Sequence, residues 1–175
     1  QAVPCFIHAK LTGENVPALI PAAIDQDPYW RVTRDIAQKL GYYKPAQIHC
    51  RFLPGLGTGG KMSASEPETS IFTTDPPQVV KRKIWNAFTG GKDTAAEQKK
   101  TGGDPDICTI FQHFLYQSQE DDKKLVETEK RCRSGEILCG ECKTDLTERV
   151  NKFLAEHQKK REKAKDTLQK FHIKR

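Results

Sequence analysis

The apolar residues of this chain change their spacing once, near residue 75, and that change limits what the chain can fold into. Beyond it the pattern is helical throughout. Thr74 or Asp75 can cap a helix with Pro76 in its first turn, running to about Phe88, where Gly90-Gly91 breaks it. A helix around 93–100 ends at Gly102-Gly103. The next begins near Asp106 and carries Ile107, Ile110, Phe111, Phe114 and Leu115 at i, i+3, i+4, i+7 and i+8, one helical face. A charged helix over about 119–133 is stopped by Gly135. A long terminal helix over about 136–171 keeps Leu146, Val150, Phe153 and Leu154 on its apolar side. Such helices predict an all-α bundle over 75–175.

Residues 1–74 are mixed α/β. The apolar run 18–24 suits a short buried strand, weakened inside by Pro21. Asp27-Pro28 then opens a helix, with Asp27 as cap and Val32, Ile36, Ala37 and Leu40 on one face, and Gly41 closes it. Residues 47–53 give a second strand. Strand, helix, strand is the unit from which parallel sheets are built.

The net charge of +6 is unevenly placed. Residues 143–175 hold 11 Lys and Arg against 5 Asp and Glu, and the other 142 residues balance at 18 against 18. A basic helix meets nucleic acid, an acidic surface or only water. No run approaches the ~20 apolar residues of a membrane span, so no membrane partner is expected. The start, Gln1-Ala2-Val3-Pro4, has neither a signal core nor an initiator Met and reads as a cut end. The six cysteines read as free thiols of a reducing, cytoplasmic compartment. Cys139-x2-Cys142, with Cys132 upstream, lacks the second close pair or histidine of a structural zinc site, so no zinc or other metal is expected. The histidines show no ligand spacing. His113 reads as a packing-edge residue, and Trp30 and Trp85 as core.

The segment richest in chemistry is 55–65, Gly-Leu-Gly-Thr-Gly-Gly-Lys-Met-Ser-Ala-Ser. Four glycines in six residues cannot pack a core, but they let backbone approach a ligand closely. The lysine and two serines that follow suit a polyphosphate. The run taken alone is also what a plain surface loop looks like, and it does not match the G-x4-G-K-[ST] phosphate loop.

Lys61-Met62-Ser63-Ala64-Ser65 resembles the KMSKS signature loop of class I aminoacyl-tRNA synthetases. With Ala in fourth place and Glu66-Pro67 after it, the loop is similar to that of the eukaryotic tryptophanyl-tRNA synthetases. Residues 23–31, Ala-Ile-Asp-Gln-Asp-Pro-Tyr-Trp-Arg, followed by Thr33-Arg34-Asp35, resemble the same family's sheet-to-helix segment. Residues 88–94, Phe-Thr-Gly-Gly-Lys-Asp-Thr, resemble a turn of its helical domain. The three stand in family order over nearly the whole chain.

The resemblance implies a Rossmann-type catalytic remnant over 1–74 and a helical anticodon-binding domain over 75–175. It implies a ligase that activates tryptophan with Mg2+-ATP and charges a tRNA for tryptophan, by positioning and charge stabilisation. Lys61, Met62, Ser63, Ala64 and Ser65 would close over ATP, with Lys61, Ser63 and Ser65 catalytic. Ala64 stands where most bacterial relatives have a second lysine. Asp25 and Gln26 would line the tryptophan and ATP pocket, at the carboxyl end of a parallel strand. Lys92 and Asp93 would read the anticodon, a carboxylate accepting from cytosine N4, although Asp93 could equally be the cap of the helix after it. Intact members are homodimers. The family also uses an HIGH-type sequence, and no H-x-G-H stretch occurs in these 175 residues, so this polypeptide alone is expected to be inactive in adenylate formation. A non-catalytic tRNA-binding module and the sister tyrosyl enzymes are the alternatives.

Overall fold

The computed structural model describes residues 2–58, 60, 62, 63 and 65–171. They divide into two compact units, Gln1–Phe52 and Leu53–Arg175.

In the first unit, α1 (Val3–Thr12) has a proline in its first turn and ends where Gly13 takes φ 77° and bonds the Ala9 carbonyl at 2.9 Å. It buries Cys5 and Ala9, while the apolar residues at helical spacing, Val3, Ile7 and Leu11, are exposed. Then come β1 (Leu19–Ala23), a 3-10 turn Ile24–Gln26, α2 (Asp27–Ala37), a second 3-10 turn Gln38–Leu40, and β2 (Ala46–Cys50). β1 and β2 pair in parallel, Leu19 opposite Ala46 and Ala23 opposite Cys50, as the strand-helix-strand pattern predicts. Gly41 closes the helical stretch at φ 81°.

Two local expectations in this unit are corrected. Asp27 is not the cap of α2. Gln26 takes that place, and the Asp27 carboxylate accepts from Arg31 Nε one turn on, at 2.6 Å, where a negative charge suits the helix start. The buried stripe is Trp30, Thr33 and Ala37, while Val32, Ile36 and Leu40 are exposed. Thr33 tolerates burial because its hydroxyl donates to the Tyr29 carbonyl at 2.9 Å.

The second unit is helical: α3 (Pro77–Trp85), α4 (Ala95–Thr101), α5 (Thr109–His113), α6 (Asp122–Ser134) and α7 (Cys139–Lys165). α5 runs into a π-helical turn, Phe114–Ser118. That wider turn breaks the 3.6-residue period, and Leu115 is exposed rather than on the buried face. The core joins Val80 and Ile84 of α3, Ile110 of α5, Phe114, and Leu146 and Leu154 of α7. Leu56, only 2% exposed between two glycines, belongs to it too. Its N–H bonds the Thr69 carbonyl at 2.9 Å and its carbonyl accepts from Phe88 N–H at 2.8 Å. The first half of the glycine-rich segment is therefore core, against expectation. These contacts put the division between compact units at Phe52/Leu53, upstream of the change in apolar spacing at 74/75.

Of the two tryptophans, Trp30 is buried in the first unit, as expected. Trp85, at the end of α3, is 45% exposed, because its helix turns Val80 and Ile84 inward instead.

His113 is buried rather than at an edge, and its Nε2–H donates to the Pro54 carbonyl at 3.1 Å. Burial holds its pKa below the ordinary histidine value, outweighing the opposite effect of that bond. The unfolded chain then takes up this proton at higher pH than the folded chain. Stability contributed here is lost as pH falls from the ordinary value towards the lowered one. The urea midpoint is expected to drop between about pH 7 and 5, and His113→Gln to flatten that drop. Equal pH slopes for the two proteins would reject the assignment.

Candidate functional site

Three of the singled-out segments acquire geometry. In the first unit, β1 ends at Ala23, and the 3-10 turn that follows carries Asp25 and Gln26 at the carboxyl end of the parallel pair, where open α/β sheets present ligand-binding groups. Gln26 Nε2 donates to Asp25 Oδ2 at 2.8 Å. Asp25 is exposed and Gln26 half-buried. Asp27 Oδ1 lies 3.7 Å from His49 Nε2. His49 was not singled out by sequence. The signal was its place one residue from the carboxyl end of β2.

In the second unit, Met62, Ser63 and Ser65 are described, and Lys61 and Ala64 lie outside the described residues. The Ser63 and Ser65 hydroxyls share a hydrogen bond at 2.7 Å. Glu66 N–H bonds the Ser63 carbonyl at 3.1 Å, forming a small antiparallel bridge. The Thr69 hydroxyl donates to the Glu66 carbonyl at 2.7 Å and accepts from Ser63 N–H at 3.3 Å. The two serines thus sit on a turn whose backbone is fixed from Thr69, with Ser65 and Met62 facing outward.

The arm leaving this turn is held by two consecutive basic residues of α3. Arg82 grips Glu68 through both guanidinium nitrogens, at 2.5 and 2.9 Å. That bond holds the Glu68 carboxyl below its usual pKa and raises the guanidinium's. The pair is exposed and acts chiefly through geometry. Lys83 is buried, 3% exposed, and donates to the Ser70 carbonyl at 2.9 Å and to Asp75 Oδ2 at 2.7 Å, with its ammonium 4.7 Å from the Phe72 ring centroid. Asp75 also accepts from Phe72 N–H at 2.9 Å. Neither Thr74 nor Asp75 caps α3, since Pro76 occupies the cap position. Sequence reading passed over Lys83. The available signal was a lysine between Val80 and Ile84 on the buried stripe.

The third segment is the turn 88–94. The Thr109 hydroxyl donates to the Phe88 carbonyl at 2.6 Å, and Asp104 N–H to the Gly90 carbonyl at 2.7 Å. A Cβ at Gly90 would fall on the Asp104 carbonyl. Thr94, not Asp93, caps α4, accepting from Glu97 N–H at 3.1 Å. The capping explanation for Asp93 is thereby removed. Lys92 and Asp93 are exposed, and among the described residues neither makes a hydrogen bond or ion pair.

Among the described residues no helix is long and apolar enough to cross a membrane.

The chain is 54% identical over 173 residues to a tryptophan–tRNA ligase of Thermococcus sibiricus, an alignment covering 98% of this chain and 44% of that protein. The crystal structure of tryptophanyl-tRNA synthetase from the archaeon Aeropyrum pernix superposes with a TM-score of 0.83 at 41% identity, over 91% of this chain and 45% of that one. That of Plasmodium falciparum does so with a TM-score of 0.80 at 38% identity, over 92% and 43%. The chain thus spans about 44% of the length of the curated relatives it matches, and archaeal as well as eukaryotic proteins share its pattern. The family model for tRNA synthetases class I (W and Y) matches residues 12–155. With the family model over most of its length and solved tryptophanyl-tRNA synthetases sharing its fold, the chain belongs to the class I tRNA synthetases of the W and Y group.

Proposed function

We propose that this chain is the part of a tryptophan–tRNA ligase that carries the nucleotide loop and the tRNA-reading helices. The observation that carries this reading is the 54% identity over 173 residues with a tryptophan–tRNA ligase, which favours tryptophan over tyrosine as the amino acid. In the whole enzyme, a homodimer, tryptophan is activated with ATP held as its Mg2+ complex and then passed to tRNA. Lys61 offsets negative charge on the leaving pyrophosphate, and the Ser63 and Ser65 hydroxyls bond phosphate oxygens. Met62 and Ala64 complete the loop over ATP. Asp25 and Gln26 line the tryptophan and ATP pocket. Lys92 and Asp93 meet the anticodon, where an uncapped, exposed carboxylate suits a cytosine amino group.

The test is binding of this chain to a tryptophan tRNA, beside the same tRNA with its anticodon cytosines replaced, at two salt concentrations. Loss of a base contact worth ~1–3 kcal/mol corresponds to roughly 5- to 150-fold weaker binding. Equal, steeply salt-dependent affinity for both RNAs would reject anticodon reading and leave only the basic terminal helix engaged.

A further inference from the structure

Next to the serine turn lies a cavity of about 420 Å³ that neither Ser63 nor Ser65 lines. All of its walls belong to the second unit. On one side stand Met62 of the loop and Ile71 of the arm, and on the other Phe153 and Leu154 of α7. His113 and the π-helical turn close it between them, and such turns are frequent at functional sites. The volume falls within the roughly 300–1,000 Å³ of small-molecule sites, whose usual make-up is a mainly apolar wall with a few polar groups. The edges are fixed. Gln158 Nε2 on α7 donates to the Thr73 and Asp75 carbonyls of the arm at 3.0 and 3.2 Å. Arg149 Nη1 donates to the Ser118 carbonyl of the π-helical turn at 3.0 Å. Walls held in this way need little ordering when a ligand enters.

Two features define the chemistry of an occupant. The first is His113, only 4% exposed. Its Nε2–H is engaged by the Pro54 carbonyl, which leaves Nδ1 as an acceptor with no partner among the described residues. Burial favours the neutral ring, in which that lone pair is available. A buried polar atom without a partner is uncommon and calls for a donor. The second feature is charge. The lining carries one cation, Arg149, and one anion, Glu120, and Arg149 is already matched by Asp145 at 2.7 Å. Nothing there selects a phosphate or a carboxylate. The Phe153 ring, 57% exposed, offers instead a partner for another aromatic ring.

We infer that this cavity is a binding site for a small neutral aromatic molecule with one N–H or O–H donor, its ring packed among Met62, Phe153 and Leu154 and its donor on His113 Nδ1. An occupant touches Met62 and so steadies the loop that bears Ser63 and Ser65. Its consequence for ATP rests on the function proposed above, while the binding itself does not.

Met62 is the chain's one methionine, so isotopic labelling of the methionine methyl carbon gives a single magnetic-resonance signal at the cavity wall. The probes are phenol, which carries the donor, and anisole, in which the same oxygen is methylated. Phenol is expected to shift the Met62 signal saturably and to bind about fivefold more tightly than anisole, the effect of one buried hydrogen bond. His113→Phe removes the acceptor and is expected to abolish that preference. Should this variant fail to fold, Phe153→Ala, at an exposed position, decides, and it is expected to weaken phenol binding about threefold through loss of the ring contact. A Met62 signal that stays still or never saturates, equal affinity for the two probes, a preference that survives in His113→Phe, or unchanged phenol binding by Phe153→Ala would overturn the proposal. None of these results bears on tRNA reading, and equal affinity for the two tRNAs leaves this site standing.

Discussion

Lys83→Met is expected to lower the folding stability of the helical unit by about 3–5 kcal/mol, the range for removing one partner of a buried ion pair. Lys83 is 3% exposed and the Asp75 side chain 13%, so the carboxylate left behind has little access to water. It keeps its bond from Phe72 N–H, but the Ser70 carbonyl loses its ammonium donor. Adding Asp75→Asn removes the stranded charge, and the double variant is expected to recover part of the loss. Urea unfolding of both single variants and the double variant, followed by helical circular dichroism, gives the coupling. A loss under about 1 kcal/mol for Lys83→Met would mean that the site opens enough to hydrate Asp75. Because Lys83 also fixes Ser70, the same substitution loosens the arm leaving Ser63 and Ser65.

Gly90→Ala is the second large effect, at the upper end of the ~1–3 kcal/mol typical of overpacking. Gly90 does not have positive φ, so alanine suffers no backbone strain there. The added methyl instead meets the Asp104 carbonyl, a group already bonded through its own amide to Gly90. Backbone cannot swing aside as a long side chain can, so the turn and the 102–104 segment must separate. Thermal and urea unfolding read the loss. The displaced turn also carries Lys92 and Asp93, so under the proposed function anticodon discrimination is expected to fall along with stability. A change below about 0.5 kcal/mol would show that the 102–104 segment yields freely.

Features encoded by neighbouring residues were legible in the sequence. The parallel strand pair followed from two apolar runs around a helix, and Gly41 and Gly135 ended helices where the left-handed conformation demands glycine. Asp27 and Asp75 were misread as caps because a cap is defined by where the first intrahelical bond forms. At α3 a proline took that place, and Asp75 turned to a lysine eight residues away on a helix that must exist before the two can meet. The face of α2 was misjudged because Thr33 does not look apolar until its hydroxyl is satisfied within its own helix. For the candidate site, the serine loop could be named from its residues, and the strand-end Asp25 and Gln26 and the Lys92-Asp93 turn only through motifs that resemble the family's. The clasp of Arg82 and Lys83 was not read, since its partners Glu68, Ser70 and Asp75 lie outside the helix and reach the two side chains only once the arm folds back on α3.

The chain's two tryptophans fall one in each compact unit, Trp30 enclosed and Trp85 half in solvent. Its native fluorescence is therefore a blue component from the first unit added to a redder one from the second, and on denaturation nearly all of the wavelength shift belongs to Trp30. Circular dichroism at helical wavelengths is weighted instead towards α6 and α7. The intact, unlabelled polypeptide thus carries two optical channels, one for each unit. Coincident curves mean that the units melt as one, and separated curves give each its own midpoint without a single substitution.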